Sequence, residues 1–229
     1  MFQQRFWRLA IPSLATLALC VFGVPSALAD SITYDLTAQN GALTGSGPYE
    51  QVTIDLTSST TATVTFDGLD SNGFTYLLGG ADAADINVNA SSFTLSGISS
   101  TNSIPGFTSG PVSNDGSGNV SAFGSFNQTL KSFDGFTHSS TEISFMLTDN
   151  SGTWSSAADV TKPNIHGNIL AAHGFECADP CTVGEGAANT GFVSGADPVT
   201  STPEPFSLSL SALGVGLLGL GALRRRFSA

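Results

Sequence analysis

Short runs in which apolar and polar residues alternate strictly recur along most of this chain, and a period of two is the signature of half-buried strands. Ile32, Tyr34 and Leu36 alternate with polar neighbours, as do Val52, Ile54 and Leu56, then Ala62, Val64 and Phe66. Phe74 with Tyr76, Ile86 with Val88, Phe93 with Leu95, and Ile143, Phe145 and Leu147 continue the pattern. Thr, Val, Ile and Phe are enriched in these runs, as a pleated surface favours. Turn-forming residues separate them: Gly45-Ser46-Gly47-Pro48, Asp67-Gly68, Asn72-Gly73, Gly79-Gly80 and Asn114-Asp115-Gly116. No amphipathic helical stretch longer than two turns breaks the series. About eight to ten short strands with such turns predict an all-β domain, an antiparallel β-sandwich for which a jelly-roll is one arrangement. Eleven phenylalanines scattered between Phe66 and Phe192 are expected to fill its core. Residues 99–119, rich in Ser, Gly, Asn and Pro, read as a long loop, and no repeat of fixed period is present.

The two ends have a different character. Arg5 and Arg8 precede an apolar run from Leu9 to about Val24, followed by Ala27-Leu28-Ala29. That order is a cleavable secretory signal peptide, with cleavage after Ala29 making Asp30 the new N-terminus. A retained membrane helix is the competing reading. Arg5 and Arg8 are not adjacent, which disfavours twin-arginine export, and Leu19 disfavours lipidation at Cys20. At the C-terminus, Pro203-Glu204-Pro205 is followed by an uncharged segment from Phe206 to Leu223 and then Arg224-Arg225-Arg226. As a helix the uncharged segment would be about 27 Å long, enough for the hydrocarbon core of a bilayer. The arginines keep their end cytoplasmic, so everything before Pro203 is expected outside. Residues 194–202 read as a flexible spacer. The predicted organisation is signal peptide 1–29, extracellular β-sandwich 30–193, spacer 194–202 and sorting or anchor segment 203–229, with a single transmembrane helix.

Pro203, Glu204, Pro205, one apolar segment and the cluster Arg224, Arg225 and Arg226, in that order, resemble the PEP-CTERM sorting signal. The resemblance covers residues 203–226, about a tenth of the chain. It implies recognition by an exosortase, a membrane-embedded, cysteine transpeptidase-like enzyme, with cleavage near Pro-Glu-Pro. It implies transfer to the surface or exopolysaccharide matrix of a Gram-negative, biofilm-forming bacterium. Because the family is defined by its tail, it implies nothing about the domain in front. A plain C-terminal anchor is the alternative.

Of the chain's seven cations only Lys131 and Lys162 lie within 30–202, against seventeen acids, a formal charge of −15. Such a domain repels the phosphates of nucleic acid and anionic lipid. Cys177 and Cys181, the only cysteines after Cys20, frame Ala178-Asp179-Pro180. In an oxidising compartment they are expected to pair as a disulfide. A metal site with His173, spaced by four, needs a helix that Gly174 and Pro180 oppose, and a redox pair more often has two residues between its cysteines. His173 reads as a strand histidine hydrogen-bonded at a sheet end. Asp67, Asp70, Asn72 and Gly73 form an oxygen-rich turn, a weak calcium candidate that fails the EF-hand template at Gly68 and Gly79. Asp82 and Asp85 are expected to face solvent.

Motifs for a serine-hydrolase elbow, a P-loop, a zinc protease and a dinucleotide fold are absent from the sequence, and no cofactor is called for. The leading expectation is a structural or adhesive surface protein, not an enzyme, with signal peptidase and exosortase as processing partners. The second is a carbohydrate-binding module for extracellular polysaccharide, marked by exposed aromatics with Trp154, Tyr49 and Tyr76 as candidates. The third is a secreted hydrolase.

Overall fold

The computed structural model describes residues 30–132 and 135–203, the last five by backbone only. The signal-cleavage residues Ala27 and Ala29, the sorting residues Glu204, Pro205 and Arg224 to Arg226, and the 206–223 segment lie outside the described residues. Among the described residues no helix is long and apolar enough to cross a membrane.

Among the described residues fourteen strands follow in chain order: β1 Asp30–Leu36, β2 Ala38–Gln39, β3 Glu50–Ser58, β4 Thr61–Gly68, β5 Asp70–Ser71, β6 Phe74–Leu78 and β7 Ala84–Ile86. Then come β8 Phe93–Thr101, β9 Val112–Val120, β10 Gly124–Ser132, β11 Glu142–Asp149, β12 Leu170–Ala178, β13 Asn189–Gly195 and β14 Pro198–Pro203. The first sheet has the order β14-β1-β3-β4-β11-β8. The second runs β2-β13-β12-β7-β10-β9, with β6 also on β12 and β5 on β6. Every pairing is antiparallel.

Alternation decides which side chains meet. Ile32, Val52, Val64 and Ile143 of the first sheet share one core with Leu78, Ile86, Leu130 and Leu170 of the second. The expected all-β, antiparallel architecture of two sheets around a common core is what the chain adopts. On the other face of the first sheet, register aligns Thr33, Thr53, Thr65, Ser144 and Ser99 in one row of hydroxyls across five strands. The second sheet is covered outside as well. Val120, Phe123, Phe126 and Ala171 form one buried cluster there, and Leu77, Phe107 and Cys177 another.

Several expectations need correction. Residues 99–119 are not a long loop: β8 runs to Thr101 and β9 starts at Val112. Their Ser and Gly content suits margin strands, which must not offer a sticky edge. Residues 194–202 are not a free spacer, since they hold the end of β13 and most of β14, which pairs with β1 from Tyr34 to Asp30. Trp154, Tyr49 and Tyr76 are not exposed; each is at least 99% buried. Their polar tips are satisfied inside, by Asn89 O at 3.0 Å, Gly45 O at 2.7 Å and Thr44 O at 2.8 Å respectively, which removes the penalty for burying them. Asp85 is fully buried and Asp82 partly so.

Candidate functional site

The disulfide expected from spacing is formed, joining Cys177 at the end of β12 to Cys181 with Cα atoms 5.3 Å apart. The closed loop holds Asp179 over the β5–β6 hairpin, where its amide donates to Gly73 O at 3.1 Å. Asp179 thereby completes a shallow cavity of about 290 Å³ with Asp70, Ser71, Asn72, Gly73, Phe74 and Thr75. Asn72 turns the hairpin with a positive φ of 56°, a conformation Asn tolerates better than most residues. Two of the three calcium-candidate residues, Asp70 and Asn72, therefore share a cavity. Asp67 does not join them: it sits on β4 opposite Glu142, where burial first and that carboxylate second raise its pKa. Asp70 accepts from the Thr75 hydroxyl at 2.6 Å. Among the described residues no group of three or more His, Cys, Asp or Glu side chains is placed to hold a metal ion.

His173 lies inside β12, opposite the break between β6 and β7, so its sheet-end character is that of its neighbours. Its amide donates to Asp82 O at 2.8 Å, and its carbonyl accepts from Gly79 N–H. On the outer face of the sheet its Nδ1–H donates to Gly79 O at 2.6 Å. That fixes the proton on Nδ1, leaving Nε2 to accept from the Thr190 hydroxyl at 2.6 Å. Burial lowers the His173 pKa, opposed by the Gly79 hydrogen bond and the Asp82 charge, so the ring is neutral at pH 7. Gly80, at φ +78°, admits the ring: a Cβ there would lie 3.0 Å from Nδ1. Phe175 and Phe192 pack on the imidazole at 5.1 and 4.9 Å between ring centres. The pair has the chemistry of a hydroxyl beside a neutral base, but it does not line the cavity at Asp70 and Asp179.

Two further carboxyls are buried without hydrogen-bond partners among the described residues, Glu50 and Asp85. Glu50 faces the space above Gly174, where an added Cβ would stand 2.8 Å from its Oε1. Burial pushes Glu50 up to about 8. Asp85 is raised by burial first, then by Asp82 and Glu50. Glu50 is therefore mostly a neutral acid at pH 7. Glu176, also buried, accepts from Thr44 N–H at 2.7 Å and from Asn189 Nδ2 at 3.3 Å. The inward phase of Glu50-Val52-Ile54-Leu56 already carried the signal for Glu50. Nothing local to Thr190 or Asp179 announced their partners, which come from other strands.

The chain ends are the third feature. β1 begins at Asp30 and β14 ends at Pro203, and these two residues are direct register partners. The Asp30 carboxylate accepts from Ala157 N–H at 2.7 Å, tying the first described residue to the 157–160 turn. No family model, no curated protein and no solved structure matches the chain.

Proposed function

We propose that this chain is an exported cell-envelope protein of a Gram-negative bacterium, processed at both ends, whose β domain has a structural or adhesive role at the surface or in the exopolysaccharide matrix. The observation that carries the proposal is the pairing of β1 with β14. It sets Asp30, the residue that follows the Ala27-Leu28-Ala29 motif, directly opposite Pro203, the first residue of the Pro-Glu-Pro motif. Cleavage after Ala29 and near Pro-Glu-Pro would leave this pairing of the described strands in place. The Cys177–Cys181 disulfide suits an oxidising compartment. A jelly-roll-like winding is the finer form of the sandwich, supported by the passage from β8 at the margin of one sheet to β9 at the margin of the other. The aromatic residues put forward for carbohydrate binding are buried, so the structural reading leads.

In this proposal the apolar segment from Phe206 to Leu223 holds the precursor in the inner membrane, and Glu204 with its flanking prolines is read by an exosortase. Replacing Pro203, Glu204 and Pro205 with alanine should leave insertion intact and block processing, so that an unprocessed inner-membrane species accumulates. Truncation after Pro203 should release a soluble domain. Fractionation and immunoblotting in a host with an exosortase separates the two, and normal processing of the alanine variant would reduce the tail to a plain anchor.

A further inference from the structure

We infer that the domain stands end-on to the bilayer, with the polar loops beside Asp30 and Pro203 against the lipid headgroups and the disulfide end turned away. The inference rests on the proposed membrane anchorage through residues 206–223, and what it adds comes from strand register. Leu56, Ala62, Leu147 and Leu95 lie in one row across the first sheet, at the end where Asp30 meets Pro203. Leu36, Glu50 and Gly68 lie in another, at the opposite end. Six residues of strand separate the rows, about 20 Å.

β14 decides which end faces the membrane. The chain leaves β13 at Gly195, whose position packs against Asp35 and Leu36 at the far end of β1. Had it continued outward from there, the anchor would hang from the disulfide end. Instead β14 returns along β1, pairing Pro198 with Tyr34 and finally Pro203 with Asp30. Only Glu204 and Pro205 then precede the apolar segment, and the step from Pro203 to Phe206 spans at most about 11 Å. So short a connection keeps this end of the sheet close to the headgroups.

The surface brought there suits contact without insertion. It includes the turn at 58–60, the connection at 89–92 and the loop at 150–156, built from Ser, Thr, Asn, Gly and Ala around the buried Trp154, with the 159–162 segment and its Lys162 beside the second of them. These loops meet one another, Trp154 N–H donating to Ser59 O and Asn150 N–H to Ser92 O. The three loops themselves carry no Lys or Arg. The nearby carboxylates, Asp149 and Asp159, are occupied by amides and hydroxyls of Ser151, Gly152 and Ser155. At the other end, the cavity of Asp70, Asn72 and Asp179 faces the surroundings.

The test uses the full chain, with Cys20 replaced by Ser, in phosphatidylcholine vesicles containing a headgroup-attached nitroxide quencher. A fluorophore is placed at Ser59→Cys or Ser103→Cys without reduction, so that the native disulfide stays closed. Quenching several-fold stronger at position 59 than at 103 is expected. Replacing residues 198–202 by a Gly-Ser run of equal length should abolish the difference. Equal quenching of the two positions in the otherwise native chain, or a difference that survives the Gly-Ser replacement, would overturn the inference. Failure of the unaltered chain to float with the vesicles would instead overturn the anchorage on which it rests.

Discussion

The first sheet is solvated on one face, whereas the second is covered on both along β7 and much of β12, and their sequences differ accordingly. In β4, Ala62, Val64 and Phe66 are fully buried while Thr61, Thr63 and Thr65 point out, so period two is visible at every step. In β12 the inward residues Leu170 and Ala172 alternate with Ala171 and Cys177, which are buried under outer-face clusters. A strand covered on both faces loses its alternation. The comparison also separates two kinds of buried acid. Glu176 accepts from two donors, whereas the Glu50 and Asp85 carboxyls have no hydrogen-bond partner among the described residues, and burial raises both pKa values.

If the shared core carries more energy than the outer cover, Phe66→Ala should be the most damaging change. Its ring is fully buried and stacked on Phe145 at 6.2 Å, and a loss of about 3–5 kcal/mol is expected in chemical denaturation. Phe175→Ala, on the half-buried outer face of the second sheet, should cost roughly 1–2 kcal/mol because part of that ring is already wet. Equal losses would break the comparison.

The buried acids predict a pH dependence of the next size. The Glu50 pKa is raised when folded, so its contribution to stability is fully present below about pH 4.5 and is lost as pH rises through about 8. Asp85 acts in the same direction. The unfolding midpoint should fall steadily from pH 5 to pH 9, and Glu50→Gln should flatten the fall. An unchanged slope would mean that Glu50 is hydrated or ionised in the folded protein.

Opening the Cys177–Cys181 loop should cost about 2 kcal/mol on the chain-entropy account. Its local effect should exceed that figure's reach, since Asp179 loses its hold on Gly73 O. Amide exchange at residues 70–75 should rise in the Cys177→Ser, Cys181→Ser variant while β4 is unaffected. The smallest effect is expected for Met146→Thr on the open face of the first sheet, within about 0.5 kcal/mol. Met146 is 39% exposed and sits in a row with Thr63 and Asp55.

The chain by itself determined the strand-rich architecture, the inward faces of the first sheet and the disulfide. Those features depend on a period of two, on turn chemistry and on two cysteines four positions apart, all of which are local. Its alternation also points Glu50 inward with Val52, Ile54 and Leu56, whereas nothing local to Asp85 or to Trp154, Tyr49 and Tyr76 marks them as buried. Tertiary structure decided what lies above each strand, because burial on the outer face of β7 or β12 depends on residues far away in sequence. It buried Trp154 by offering its indole a carbonyl from Asn89, and it buried Asp85 beneath the outer cover of the second sheet. It turned residues 198–203 into an edge strand, although their Pro, Ser and Thr content reads as linker. Pairing with β1 supplies backbone partners that no short segment can reveal about itself.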